Sequence, residues 1–140
     1  MASRREKYPD TKTFHFHNEN PKNRFTGDCT FRAFALAMEQ DYNSTVMEMA
    51  ELMCKTGYAL NDTKGESEYL KLKGWTKHKQ PKKGNGKKYT GKEFCELIAD
   101  KNKRYIAHIG GNHVVAIING KVNDTWDSTD GCIGNYWTKD

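Results

Sequence analysis

No apolar run in this 140-residue chain is long enough to span a membrane, so no membrane partner is expected. The first residues, Met1 to Lys7, carry charge with no apolar stretch behind them. That pattern does not fit a secretory leader. There are four cysteines (Cys29, Cys54, Cys95 and Cys132) at wide spacings and without a CxxC pair. A zinc ribbon or a thioredoxin-type motif is therefore not expected, and reduced thiols in a cytoplasmic setting are. Cys54 and Cys95 each fall on the apolar side of an expected helix and read as buried thiols. His15 and His17 share one strand face, but no cysteine or carboxylate pattern beside them completes a metal site. Neither metal nor cofactor is expected.

The composition suits a single packed domain over residues 1–140. Hydrophobic residues make up 36% and aromatics 11%, too many aromatics for a disordered chain. The net charge of +5 is largely local, in the Lys- and Gly-rich run 77–88. That run reads as an exposed, mobile basic loop over 77–89, flanked by Trp75 and Tyr89. Lys82, Lys83, Lys87 and Lys88 are its candidates for binding nucleic acid or an acidic partner. Residues 1–13 read as a loose basic arm.

Residues 14–17 alternate apolar and polar and predict a short edge strand. A helix is expected from Cys29 to about Met38, apolar nearly all round and thus central. A capping-box spacing at Thr45 to Glu48 predicts a second helix over Val46–Lys55, ended by Gly57. Met47, Ala50, Met53 and Cys54 form its expected core face. A short helix is expected over Glu66–Lys73, and a long one after the capping box Thr90 to Glu93. The period then changes. Arg104–Ile109 and His113–Ile118 read as strands, the second central. Asn119-Gly120 is a two-residue hairpin turn, Lys121–Asp127 the returning strand, and Cys132–Trp137 a last strand. Helices followed by an antiparallel sheet give an α+β layout.

Chemistry concentrates at Gly27-Asp28-Cys29. Asp28 reads as a helix cap, which places the Cys29 thiol in the first helical turn, where free N–H groups and the helix dipole favour an anion. A thiolate held there is a nucleophile. Its base is expected from a strand beside this helix. His113, opening the apolar strand after a double glycine, is favoured by position over His108, which lies inside the preceding strand. Counted outward from the turn, the hairpin puts Asp127 diagonal to His113, as the group that orients the imidazole. Asp124 lies nearer the turn, opposite Val115, and is the second choice; Asn112 is a further candidate for orienting or polarising. The Cys29 N–H is one expected oxyanion donor, with a side-chain amide of Asn23 or Asn20 as the other.

The order helix-opening Cys, strand-opening His, strand-ending Asp resembles the papain-like cysteine hydrolases. The chain's compactness is similar to that of bacteriocin-processing and CHAP-type amidase domains. Its closer resemblance is to small phage and bacterial papain-like proteins. It rests on Gly27-Asp28-Cys29-Thr30-Phe31-Arg32-Ala33, His113-Val114-Val115-Ala116-Ile117, Asn123-Asp124-Thr125-Trp126-Asp127-Ser128 and Gly134-Asn135-Tyr136-Trp137. The resemblance implies a papain-like fold, with a Cys-bearing central helix packed on a C-terminal antiparallel sheet. It implies a Cys29–His113–Asp127 triad cleaving a peptide, amide or isopeptide bond of a peptide or protein through a thioacyl-enzyme. A phage origin would place it in the host cytoplasm. Papain's glutamine upstream of the cysteine is absent, and an asparagine would have to replace it. Two other readings use the same fold. One is an acyl transferase; the other is a non-catalytic protein binding nucleic acid or an acidic partner through the lysine-rich loop.

Overall fold

The structure is a computed structural model and describes residues 2–140. In chain order it begins with a one-turn helix α1 (Arg4–Lys7) and a short strand β1 (Phe14–Phe16). Three helices follow: α2 (Cys29–Met38), α3 (Tyr42–Thr56) and α4 (Thr63–Leu72). Next come β2 (Thr76–His78) and α5 (Gly91–Glu93), the latter continuing into a π-helical turn over Phe94–Ile98. The chain ends in β3 (Arg104–Ile109), β4 (His113–Ile118), β5 (Lys121–Asp124) and β6 (Ile133–Thr138). Helices and sheet together make the α+β architecture that the change of period predicts.

The six strands form one sheet in the order β1-β5-β4-β3-β6-β2. It is mixed rather than antiparallel, because β1 pairs with β5 in parallel, Phe14 beside Val122. The long strands β3 and β4 lie inside and are buried on both faces, as their near-continuous apolar sequences require. One face packs Ile106, Val114, Ala116 and Trp137 against Ala33, Phe34 and Ala37 of α2, with Met49 of α3 and Tyr69 and Leu70 of α4 behind. The other gathers Phe14, Val115, Ile117, Val122 and Ile133 around Phe94 and Cys95 of the π-helical turn. The Phe34 and Tyr69 rings stack at 6.0 Å, and each is within 1% of complete burial. Burying a side chain such as Phe34 contributes roughly 1.5–3 kcal/mol.

Several local expectations change once tertiary partners are present. Helix α3 begins at Tyr42, not Val46, because the Asp41 carboxylate accepts from the Ser44 N–H and supplies the cap. Its inward residues are Thr45 and Met49; Met47, Met53 and Cys54 are exposed. Asp62 caps α4 in the same way, so the helix starts at Thr63, three residues ahead of the expected Glu66. The Thr90–Glu93 capping box forms, but the helix it opens is short and leaves Leu97 exposed. The 77–89 run is no free loop: β2 pairs with β6, and Lys82 bridges to Lys88. The segment before β1 is docked, since Arg4 Nε donates to the Thr125 carbonyl at 2.7 Å and Arg5 pairs with Asp10. Met1 of the expected arm lies outside the described residues.

Candidate active site

Cys29 is the first residue of α2, the helix that packs on the centre of β4. Asp28 stands at the N-cap, but its side chain does not cap. Both of its oxygens are engaged elsewhere: Oδ1 accepts from Arg32 Nε at 2.8 Å, and Oδ2 accepts from Asn20 Nδ2 at 2.9 Å and Tyr42 Oη at 2.8 Å. The N–H groups of Cys29 and Thr30 thereby stay unpaired among the described residues. These free donors lie beside the sulfur, where a helix N-terminus favours negative charge.

His113 opens β4 after Gly110, Gly111 and Asn112, the two glycines having the φ angles of a glycine turn, 60° and 97°. Its Nε2 donates to Asp124 Oδ2 at 2.5 Å, which turns the opposite ring edge toward the Cys29 thiol. The Trp126 ring lies over the imidazole, centroids 4.8 Å apart. The orienting carboxylate is thus Asp124 and not Asp127. The β4–β5 ladder runs only from Ile118–Lys121 to Ala116–Asn123. Beyond Asn123 the hairpin count no longer applies, so Asp124 is not held opposite Val115 and Asp127 is not diagonal to His113. Asp127 instead accepts from the N–H and hydroxyl of Thr129, closing the turn before β6.

The site continues inward. Arg32 Nη1 donates to Asp124 Oδ1 at 2.7 Å while Nε holds Asp28, and all three side chains are at least nine-tenths buried. Cys29, His113, Asp124, Arg32 and Asp28 therefore form one line of alternating potential charge, from the open thiol into the core. Burying ions is costly, and each here is offset by an opposite neighbour and by hydrogen bonds. Sequence inspection missed the role of Arg32, although its i,i+4 spacing from Asp28 on a helix was a legible signal.

The titration behaviour follows from these contacts. Burial works against ionised Asp124, but His113 and Arg32 more than offset it and hold the carboxyl below its usual 3.8. Burial likewise disfavours a charged His113, yet Asp124 and then the Cys29 sulfur raise it to about 9. The Cys29 thiol is pushed up by burial and pulled down by His113, the Val114 backbone and Arg32, ending below its ordinary 9.0. All three shifts favour a thiolate–imidazolium pair. Cys95, buried without a cation beside it, shows the opposite result, raised to about 12.

Two cavities adjoin the sulfur. One, of about 330 Å³, lies between Phe25, Gly27, Arg32, His113 and Trp126. The other, of about 360 Å³, is lined by Thr30, Asn61, Glu66, His108 and Asn112. His108 belongs to this second cavity, where its Nε2 faces Glu66 Oε1 at 3.4 Å. Asn20 and Asn23 border neither. The Asn20 amide is spent on Asp28, and Asn23, at φ 54°, is an exposed turn residue contacting Asn18. Asn61, Asn112 and Asn135 line the second cavity beside Cys29.

The remaining candidates lie elsewhere. Lys82, Lys87 and Lys88 are exposed, whereas Lys83 is committed to an ion pair with Glu93 and lies over the Tyr89 ring. None of the four lines a cavity at Cys29. His15 pairs with Asp10, and His17 approaches Glu19 at 3.6 Å. No helix among the described residues is long and apolar enough to cross a membrane. No family model, no curated protein and no solved structure matches this chain.

Proposed function

We propose that this protein is a cysteine hydrolase of papain-like type that cleaves a peptide, amide or isopeptide bond through a thioacyl-enzyme. The observation that carries the reading is the His113 imidazole, anchored through Nε2 on buried Asp124 and turned toward a sulfur at a helix N-terminus. A purely structural thiol needs neither a lowered pKa nor a boundary between two cavities. Cys29 has both.

In this reading the Cys29 thiolate attacks the substrate carbonyl carbon, and a C–S bond forms as the carbonyl oxygen takes up negative charge. The free N–H of Cys29 is the donor beside that oxygen, and the Asn112 or Asn61 amide is the candidate for a second. The C–N bond then breaks, and the imidazolium of His113 gives its sulfur-side proton to the departing amine. Neutral His113 next takes a proton from water, whose oxygen attacks the thioester and releases the acid and the thiolate. Asp124 keeps the imidazole in one orientation and stabilises its cationic form; Arg32 holds Asp124 in place.

The reading is tested with p-nitrophenyl acetate. The expected result is a burst of one nitrophenol per chain and an acetyl group on Cys29 by mass spectrometry, followed by turnover that His113→Ala removes. Absence of a burst, with iodoacetamide labelling Cys29 no faster than Cys54 or Cys132, overturns it.

A further inference from the structure

The cavity on the Glu66 side of Cys29 carries a feature that the bond-breaking steps do not use. Glu66 is a charged side chain in the first turn of α4, and only 5% of it is exposed. Its position is imposed by the preceding residue: a Cβ on Gly65 would lie 2.4 Å from the Ala59 carbonyl oxygen, so α4 packs closer to that loop than any other residue allows. One carboxylate oxygen, Oε2, accepts from Thr30 Oγ1 at 2.6 Å, which ties Glu66 to the residue after the nucleophile. The other, Oε1, takes no hydrogen bond among the described residues. Its neighbour, His108 Nε2 at 3.4 Å, is itself buried without a hydrogen-bond partner. A buried nitrogen left unpaired beside a carboxylate oxygen with no donor costs stability unless a ligand or solvent completes it.

We infer that this cavity receives a cationic group of the substrate, the ammonium or guanidinium end of a lysine or arginine side chain. The Glu66 carboxylate is its principal partner. His108 Nε2, in the tautomer protonated at Nδ1, is a second acceptor. The cavity, about 360 Å³, has room for such a side chain, and the Asn61 and Asn112 amides at its wall are neutral. Among the described residues no lysine or arginine lines it, and His108 is the one cationisable side chain on the wall beside the carboxylate. The other cavity at Cys29 has the opposite character, with Arg4 and Arg32 on its wall. A substrate lying across the sulfur is therefore read with a fixed polarity, its cation toward α4. This inference rests on the thiol-nucleophile reading and adds the class of substrate to it.

The experiment uses three chloroacetamides of equal reach, with arms ending in an ammonium, a methyl or a carboxylate group. Labelling rates at Cys29 are read by peptide mass spectrometry. In the wild-type chain the ammonium arm is expected to label at least about ten-fold faster than the methyl arm, the scale of one charge-assisted hydrogen bond. The carboxylate arm is expected to be slowest. In Glu66→Gln, which keeps a carbonyl oxygen for Thr30, the ammonium-to-methyl ratio is expected to collapse toward one. A flat series in the wild type, or an unchanged ratio in Glu66→Gln, overturns the inference. Should Glu66→Gln fail to fold, the wild-type series decides alone. Iodoacetamide separates the two levels: fast labelling of Cys29 with a flat series removes only the cation site, whereas slow labelling of Cys29 removes the thiol reading itself.

Discussion

Asp124 and Asp127 are three residues apart in a single segment, yet they have different work. Asp124 is almost fully buried between Arg32 and His113, and Asp127 closes a turn on Thr129. Asp124→Asn is expected to lower the rate of nitrophenyl ester turnover by about 10²–10⁴-fold, and Asp127→Asn to change it by no more than about twofold. A second readout distinguishes orientation from mere folding. Without the carboxylate, His113 falls from about 9 toward its ordinary 6.5, so the alkaline limb of amide cleavage, which needs the imidazolium, moves down with it in Asp124→Asn.

In the wild type the signs oppose across the pair. Thiolate forms as pH rises through the lowered pKa of Cys29, and the imidazolium is lost as pH rises through about 9. Amide cleavage, which needs both ions, is expected to fall above about pH 9. Alkylation of Cys29 needs only thiolate, so it should continue undiminished there. Parallel loss of the two rates would contradict the assignment of His113 as proton donor.

Among the elements, α2 matters most, because its two ends serve different purposes. Its apolar middle seats it on β4, while its first turn gives up the usual side-chain cap so that Asp28 can hold Arg32 and the N–H groups stay free. Helix α4 serves the same site from behind, through Glu66 and Thr30. Gly65→Ala is expected to destabilise the fold by about 1–3 kcal/mol, since the new methyl meets backbone that has no room to yield. Chemical denaturation measures this, and unchanged stability would show that the α4–loop contact relaxes freely. The hairpin β4–β5 shows the limit of counting along a strand. The Asn119-Gly120 turn forms with φ 56° and 71°, as its sequence predicts, but three residue pairs later the ladder ends.

For the molecule as a whole, the sheet is covered on both faces, and this sorts the four cysteines. Cys95 lies in the core behind the sheet, Cys54 and Cys132 are exposed, and Cys29 sits half-buried at the junction of two cavities. Under native conditions at neutral pH, iodoacetamide is expected to modify Cys29 first, Cys54 and Cys132 more slowly, and Cys95 only on unfolding. Time-resolved peptide mapping gives the order, and early modification of Cys95 would contradict the packing around Phe94.

By itself the sequence determined what local chemistry and period control. That includes helix α2 with Cys29 at its start, strands β3 and β4, the Asn119-Gly120 turn, and a histidine at the head of β4. These follow from caps, apolar runs and turn residues within a few positions of one another. Only the tertiary structure decided which carboxylate meets His113, where Asn20 spends its amide, and that β1 adds in parallel to β5. Those outcomes depend on where a ladder stops and on side chains up to 92 residues apart, as Arg32 and Asp124 are. The same holds for Cys29. Its place at a helix start was legible, but its lowered pKa comes chiefly from His113 and the Val114 backbone of β4, aided by Arg32 of its own helix, which outweigh the burial that alone would have kept it a neutral thiol.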